Sequence, residues 1–381
     1  MSLFLLTFFL IYGGVHLYLF AKIRAAFHPG VAGSIVIIVV LILMTLAPIL
    51  VRMFERYGHG TAAGITAYMG YLWMGLLFIF FVTSLLFDLY HLLIHTGALM
   101  FRKDLSGLAL SPLYAFLLPL VISAGINIYG YFEAKNIRTE NITIASSKIP
   151  EEAGRIRIVQ ISDVHIGIIV TGERLRHIVE EVKKTDPDIF VSTGDLVDGQ
   201  IDSLDEHTSL LRDVKARYGK FAITGNHEFY AGLSQALDFT RRAGFTVLRG
   251  EGLNVAGMIN IAGVDDPTVE AYDPSRAVPE KDLLSHFSGK HFTVLLKHRP
   301  AIDDGSVGLF DLQLSGHTHN GQIFPFRFVT RLFYPLRSGY FNPPTHDYVH
   351  VNRGTGTWGP PIRFLAPPEI TVIDLIHEKI K

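Results

Sequence analysis

Four long apolar stretches in the N-terminal third constrain the fold of this chain more than any other feature. None contains Asp, Glu, Lys or Arg, and they occupy residues 2–21, 25–51, 58–87 and 105–132. Each reaches about the 20 residues that a helix needs to cross a bilayer. Tyrosines lie near several of their ends, which is typical of membrane interfaces. The sequence therefore predicts a transmembrane region over residues 1–132, with four helices at about 2–21, 31–51, 61–87 and 107–132.

Two other interpretations of these stretches are buried helices of a soluble protein and, for the first stretch, a cleaved signal peptide. Four successive runs of this length argue against the former. The first run lacks a basic segment and a small-residue cleavage site, which favours a retained helix. Basic residues are almost equally divided among the loops, so the charge pattern favours neither membrane face. We expect an integral, multi-pass membrane protein, with the cell membrane as its location.

Composition excludes several classes of function. The net charge is −1, so a duplex of nucleic acid is not an expected partner. The chain has no cysteine, which rules out disulfides, zinc–thiolate sites and cysteine nucleophiles. A channel or transporter would place ionisable residues inside the spans. Only His16 lies well within one, with His28 and His59 near ends, so the helices are better described as an anchor.

Beyond residue 132 the sequence changes to that of a soluble α/β domain. We expect a linker at 133–153 and a domain at 154–381. Short runs rich in Ile and Val alternate with segments of helical periodicity, which predicts stacked sheets flanked by helices. The predicted strands are 155–162, 188–192, 220–224, 246–249, 260–264, 291–297, 309–314 and 370–375.

Five short segments place side chains that bind metals directly after predicted strands. Asp163 and His165 are two residues apart, so both point to one side of an extended chain. His317 and His319 repeat this spacing. One carboxylate can bridge two cations, and Gly194 allows the sharp turn that would expose Asp195. The other segments supply Asn226, His227, Glu228 and His298.

The order D-x-H, G-D-x-x-D, G-N-H-E, H and G-H-x-H resembles that of the calcineurin-like metallophosphoesterase superfamily. Within it, the chain is similar to the membrane-associated branch of bacterial phosphoesterases. The resemblance covers residues 154–376. It implies a four-layer β-sandwich of the metallophosphoesterase type, flanked by helices and here preceded by the four-helix transmembrane region.

The resemblance also implies the composition of the site. One metal would be held by Asp163, His165 and His319. The other would be held by Asn226, His298 and His317. Asp195 would bridge the two, and His227 would stand beside the substrate phosphate as an acid or a charge stabiliser. Mixed imidazole and oxygen ligands favour Mn²⁺, with Fe or Zn²⁺ as alternatives.

Four further residues are candidates for the surroundings of the metals. Asp198 and Glu228 could orient imidazoles, or could form surface salt bridges. Arg353 and Arg363 could pair with a substrate phosphate, or could form structural salt bridges. A loop at 353–361 is rich in glycine without the pattern of a nucleotide-binding fingerprint, so we expect it at the rim of the site.

The sequence thus predicts a membrane-anchored hydrolase that uses two divalent metals. It would cleave a phosphoester or pyrophosphate bond by attack of a metal-bound hydroxide. The anchor suggests a lipid-linked phosphate as substrate, because it holds the site near lipids. The alternative is a non-catalytic scaffold or binding protein on the same fold, which would be expected to lose metal ligands.

Overall fold

The computed structural model describes residues 3–199, 205–287, 289–341 and 347–378. The chain divides into two compact units. The first, called the helical unit, comprises the residues up to Phe132 together with Gly359–Ile362. The second, called the sheet unit, begins at Glu133 and takes in the remainder.

Four helices make up most of the helical unit, and each is long and apolar enough to cross a membrane. Their core contains Tyr12, Leu19, Leu77 and Phe80, while most other large apolar side chains face outwards. Outward apolar residues are expected where lipid replaces water as the solvent. The helices are α1 (Leu3–Phe27), α2 (Val31–Arg56), α3 (Gly60–Phe101) and α4 (Pro112–Glu133).

Helix α3 is longer than the span predicted at 61–87. It has 42 residues, which corresponds to about 63 Å. Asp88 ends the uncharged run but not the helix, because its carboxylate binds Lys22 and accepts a hydrogen bond from Tyr18 at 2.6 Å. The helix ends where Arg102 adopts a left-handed conformation, with φ of 52°. Charge therefore marks the limit of the apolar span and not the limit of the helix.

The sheet unit contains two six-stranded sheets in the described residues. The first has, in spatial order, β1 (Arg138–Ser146), β12 (Glu369–His377), β2 (Arg155–Ile161), β3 (Ile189–Ser192), β4 (Lys220–Ala222) and β5 (Thr246–Val247). The second has β10 (Gly339–Phe341), β11 (Tyr348–Val351), β9 (Leu312–Ser315), β8 (Phe292–Leu296), β7 (Ile259–Gly263) and β6 (Glu251–Val255). Neighbouring strands are parallel except at the pairs β12–β2, β10–β11 and β6–β7.

The two sheets pack face to face, with a helical layer on each outer side. Ile158 of β2 and Ile261 of β7 belong to one buried cluster between the sheets. Phe190 of β3 packs in a second cluster with Ile178 of helix α5 (Gly172–Lys184), outside the first sheet. Leu284 of helix α10 (Glu280–Ser285) packs outside the second sheet. The predicted four-layer α/β architecture is therefore confirmed. The helices of this unit are α5 (Gly172–Lys184), α6 (Asp205–Arg212), α7 (Asn226–Ala231), α8 (Leu233–Arg242), α9 (Val269–Tyr272), α10 (Glu280–Ser285) and α11 (Arg327–Phe333).

The segment predicted as a linker, 133–153, differs from that expectation. It contains β1, which pairs in parallel with β12 over nine residues. Ile144 of β1 is buried, whereas most of the other side chains of the strand are at least partly exposed. A strand at the edge of a sheet needs only one apolar face, so its sequence lacks the continuous apolar run that marks a central strand.

Candidate metal centre

The five segments that carry the predicted ligands all lie at one edge of the sheets. Each follows the carboxyl end of a strand, namely β2, β3, β4, β8 or β9. Within each sheet these strands run parallel to one another, so their carboxyl ends meet at the same edge. This is where polar loops can converge without interrupting a ladder of backbone hydrogen bonds.

The backbone at these strand ends is strained. Five of the predicted ligands have positive φ between 48° and 70°, namely Asp163, His165, Asp195, His317 and His319. Residues other than glycine rarely adopt this region, and each instance costs on the order of 1–3 kcal/mol. Five of the twelve described residues other than glycine with positive φ are thus residues whose side chains converge on one place.

One cluster joins Asp163, His165 and His319. The Nε2 atoms of the two imidazoles are 3.2 Å apart, and Nε2 of His319 is 3.3 Å from Oδ1 of Asp163. Ser162 Oγ and the backbone N–H of His317 donate hydrogen bonds to Asp163 at 2.5 and 2.9 Å. The carboxylate is therefore fixed in position before any ligand arrives.

A second cluster joins Asp195, His298 and His317. Nε2 of His298 is 3.2 Å from both Oδ2 of Asp195 and Nδ1 of His317. Nδ1 of His298 lies 2.8 Å from the carbonyl oxygen of Thr193 and donates its proton there. That bond places Nε2 at the cluster, where its lone pair becomes available to a cation once the ring is neutral.

Asp195 connects the two clusters. Its Oδ2 lies 3.9 Å from Nε2 of His165, in addition to its contact with His298. Its Oδ1 accepts a hydrogen bond from the backbone N–H of His227 at 2.8 Å. Three groups of potential ligand atoms, each spanning less than 4.8 Å, overlap through His165 and Asp195. The arrangement suits two cations that share one carboxylate.

Asn226 offers an independent indication of a cation. Its side chain is buried, and its Oδ1 has no hydrogen-bond partner among the described residues. A buried carbonyl oxygen without a partner costs about 1–3 kcal/mol. Such an oxygen is a good donor to a divalent metal, which would remove that cost.

The charges of the site also favour cations. Burial alone would lower the pKa of His298, but the charge of Asp195 and its hydrogen bond raise it to about 10. Burial lowers the pKa of His165 to about 3 and that of His317 to about 4. The nearby imidazoles hold the pKa of Asp195 well below its usual range against the effect of burial. The carboxylates thus retain negative charge that protons or metal ions must balance.

His227 lies beside the clusters and is held by Asp198. Its Nδ1 is 3.0 Å from Oδ1 of that carboxylate. Burial would lower the pKa of His227, but the charges of Asp195 and Asp198 raise it to about 9. These two carboxylates therefore favour the doubly protonated form of the imidazole. The prediction that Asp198 orients an imidazole agrees with this contact.

Glu228 binds backbone instead of an imidazole. Its carboxylate accepts hydrogen bonds from the N–H groups of Gly225 at 2.7 Å, Leu196 at 2.7 Å and Asp195 at 3.0 Å. Its side chain is buried, so a surface salt bridge is excluded. Burial and the charge of Asp195 raise its pKa to about 7, opposed by these N–H groups. Glu228 thus ties the loop of Asp195 to the start of α7.

The two arginines are engaged with the protein itself. Arg353 pairs with Glu369 at 2.8 Å and with Glu140. Arg363 is fully buried and donates hydrogen bonds to the carbonyl oxygens of Gly356 and Ala366. Its Nη2 lies 3.2 Å from Nδ1 of His319. Arg353 therefore forms structural salt bridges, whereas Arg363 is held by backbone carbonyl oxygens and not by a carboxylate. A contact of either with a substrate phosphate stays a prediction.

Three aromatic residues of the site were missed by the sequence analysis. The hydroxyl of Tyr334 is 3.0 Å from Nε2 of His317. The rings of Tyr230 and Trp358 each lie 5.5 Å from the ring of His227, and both are exposed. Trp358 belongs to the glycine-rich loop that was expected at the rim. No pattern in the sequence marks the two tyrosines.

Comparison with known proteins extends these findings. The family profile described as calcineurin-like phosphoesterase matches residues 156–321. An uncharacterized metallophosphoesterase of Aquifex aeolicus is 36% identical over 257 residues, which cover 67% of this chain and 98% of that one. The uncharacterized metallophosphoesterase YkuE of Bacillus subtilis is 35% identical over 67% of this chain and 91% of its own length. A transmembrane protein with metallophosphoesterase domain from Danio rerio is 31% identical, covering 68% of this chain and 62% of that one.

Proposed function

Because the chain belongs to the calcineurin-like phosphoesterase family, we propose that it is a membrane-anchored hydrolase of phosphoester or pyrophosphate bonds that depends on two divalent metals. The observation that carries this proposal is a pair of His/Asp clusters joined by Asp195, which belongs to one cluster and lies 3.9 Å from His165 of the other. A shared carboxylate is the feature that distinguishes a two-metal site from two separate single-metal sites.

The ligand sets follow the two clusters. Asp163, His165 and His319 would hold one cation, and Asn226, His298 and His317 would hold the other, with Asp195 between them. The mixture of nitrogen and oxygen donors fits Mn²⁺ best, with Fe or Zn²⁺ as alternatives. Two such cations lower the pKa of a bound water and neutralise the phosphoryl oxygens during displacement.

His227 would act on the substrate and not on the metals. Its Nδ1 is occupied by Asp198, so the proton on Nε2 is the one that it can give up. A protonated imidazole at this place can donate to the leaving oxygen or stabilise the charge that develops on the phosphoryl group. Asp198 keeps the ring in the orientation that this transfer needs.

The four apolar helices suggest where the substrate is found. They make this a membrane protein, and we propose a multi-pass protein of the cell membrane whose substrate is a lipid-linked phosphate. An enzyme tethered to a bilayer meets lipids at a much higher effective concentration than it meets dilute solutes.

The test uses the full-length protein, stripped of metal and then supplied with Mn²⁺, Fe²⁺ or Zn²⁺. Activity is measured on three soluble compounds: bis-(p-nitrophenyl) phosphate, a phosphomonoester and a nucleoside diphosphate. It is also measured on lipids that carry a phosphodiester, a phosphomonoester or a pyrophosphate. We expect activity only with metal, and the highest rate on a lipid-linked compound. Cleavage of the soluble diester without cleavage of any lipid would contradict the proposal that the substrate is a lipid-linked phosphate.

Metal analysis of the same preparation separates the hydrolase from the scaffold alternative. We expect about two equivalents of transition metal per chain. Less than one equivalent, with no activity on any compound, would favour a non-catalytic scaffold on this fold.

A further inference from the structure

A short helix of the sheet unit, α11, presents large apolar side chains to the outside. Phe328, Val329, Leu332 and Phe333 are exposed, as is Phe326 directly before the helix. Leu332 is 81% exposed and Phe333 is 73% exposed. Proteins that live in water rarely keep a contiguous group of such residues uncovered. We call these five side chains the apolar face.

The apolar face lies on one side of the helix. With 3.6 residues per turn, its five members fall on a contiguous arc of about 160°. Arg327 and Arg331 lie one turn apart on the other side of the helix, about 180° and 140° from the middle of this arc. The guanidinium of Arg327 lies over the rings of Phe324 and Phe328, at 4.9 and 5.5 Å from their centroids.

The charged residues of the segment that carries the apolar face all have one sign. Between His319 and Phe341 the sequence contains three arginines and no Asp, Glu or Lys. Arg331 is exposed on α11 itself. A short helix with an apolar arc that contains aromatic side chains, and with arginines on its polar side, is typical of segments that lie in a membrane interface. Its positive charge complements the phosphate groups of anionic lipids.

The apolar face is fixed to the candidate metal centre. The segment that carries α11 leaves the centre at His319 and returns to it at Tyr334, whose hydroxyl contacts His317. Thr318 also binds the carbonyl oxygen of Arg337. The side-chain amide of Gln322 donates a hydrogen bond to the carbonyl oxygen of Trp358 at 2.9 Å and accepts one from the N–H of Trp358 at 3.0 Å. The helix is therefore held at the rim of the centre by contacts at both of its ends.

We propose that the apolar face is a membrane-docking surface that inserts into the interface of a bilayer, with Arg331 directed at lipid phosphate groups. A lipid surface is the occupant because the four apolar helices of the same chain keep the sheet unit tethered to a bilayer. The effective concentration of lipid is consequently far above that of any dilute partner protein. This docking does not depend on hydrolysis, so it can hold even if the proposed function fails.

The absence of cysteine from the sequence allows a direct test. Leu332→Cys or Phe333→Cys, in the full-length protein, provides a single site for a nitroxide spin label. Glu180→Cys, at an exposed position of α5, is the matched control. Each labelled protein is placed in nanodiscs of phosphatidylcholine with or without phosphatidylglycerol. Collisions of the label with oxygen, which concentrates in lipid, are compared with collisions with a water-soluble nickel chelate.

We expect the ratio of oxygen to nickel collisions to be at least about fivefold higher at 332 and 333 than at 180. A ratio at both positions equal to that of the control would overturn the proposal. Labels shielded from both reagents would overturn it in favour of a protein contact, such as a second copy of the chain. A thermal unfolding transition at the wild-type temperature confirms that the substitutions leave the labelled proteins folded.

The role of Arg331 is tested with Arg331→Glu in the labelled background. We expect this change to lower the ratio at 332 more in discs with phosphatidylglycerol than in discs of phosphatidylcholine alone, because only the former carry net negative charge. An equal effect in both kinds of disc would contradict the assignment of Arg331 to lipid phosphates.

Discussion

Buried histidines occur in both units of this protein, but they are used differently. In the helical unit, Nδ1 of His16 is 2.8 Å from the carbonyl oxygen of Tyr12, and Nε2 of His16 accepts a hydrogen bond from the indole N–H of Trp73. In the sheet unit, the ring nitrogens of His165 and His319 face each other at 3.2 Å. Both arrangements bury imidazole, yet only the second directs several ring nitrogens at one point.

The difference does not lie in the mere presence of unsatisfied atoms, because both units contain buried polar atoms without a hydrogen-bond partner among the described residues. Examples are the hydroxyl of Tyr12 and Oδ1 of Asn127 in the helical unit, and Oδ1 of Asn226 at the sheet edge. The first two are isolated from any group of potential metal ligands. Asn226, by contrast, directly precedes His227, whose backbone N–H donates a hydrogen bond to the carboxylate of Asp195. Convergence with other donors, more than burial, therefore marks a polar atom as functional.

The largest effect is expected from removal of the carboxylate of Asp195, which tests whether the converging donors of the sheet unit bind metal. In Asp195→Ala both proposed cations lose a ligand, so we expect activity to fall at least about 100-fold. Metal analysis should show a loss of bound metal in parallel. The control is Asp238→Ala on the exposed surface of α8, which should retain both. Activity of Asp195→Ala near that of the wild type would refute its place between two metals.

The architecture and the side chains of the candidate centre could be predicted from sequence for a physical reason. Buried central strands are continuous runs of Ile, Val and Leu, and polar residues directly after them must gather at a sheet edge. Asp163, Asp195 and His298 are each found in this way. Their role as metal ligands stays a prediction until metal is measured.

Other features depend on contacts that no local pattern records. Most side chains of β6 and β10 are at least partly exposed. These strands therefore lack the apolar run by which a strand is predicted from sequence. Tyr334 reaches His317 across 17 residues of chain, and Trp358 reaches His227 from more than a hundred residues away. The role of Glu228 was also missed, because its partners are backbone N–H groups that every sequence contains.

Glu228→Gln tests the positioning of the donors alone, because it weakens the attachment of the loop of Asp195 while keeping every proposed ligand. An amide has one acceptor oxygen in place of two, so some of the N–H groups of Gly225, Asp195 and Leu196 would lose their partner. We expect metal affinity to fall about 10- to 100-fold, as for other residues that orient ligands. Hydrogen exchange of the amides at 195–197 should become faster. Unchanged exchange at these amides would contradict the positioning role.

Asp198→Asn should produce a smaller effect that depends on pH. Asp198 helps to raise the pKa of His227 to about 9, so the wild type keeps this imidazole protonated until pH rises through that value. Without the charge, His227 loses its proton at lower pH. We expect the variant to lose about tenfold in rate at pH 8 and much less below pH 6. Bound cations would lower the pKa in both proteins, so the separation of the two pH profiles is the measurement.

Superimposable profiles for wild type and Asp198→Asn would contradict a proton on His227 as the active form. Asp213→Asn, at an exposed surface position that pairs with Lys183, is the control for a general change of charge. Its profile should coincide with that of the wild type.

The smallest effect on the centre is expected from His16→Leu, which tests the other side of the comparison. The leucine would leave the indole N–H of Trp73 without its acceptor, at a cost of about 1–3 kcal/mol within the helical unit. Thermal unfolding should shift to lower temperature, while metal content and activity at permissive temperature should stay at wild-type values. If His16 instead belonged to a proton path that serves the reaction, activity would fall without a change in thermal stability. That outcome would remove the distinction drawn here between a histidine that packs a helical bundle and histidines that gather around cations.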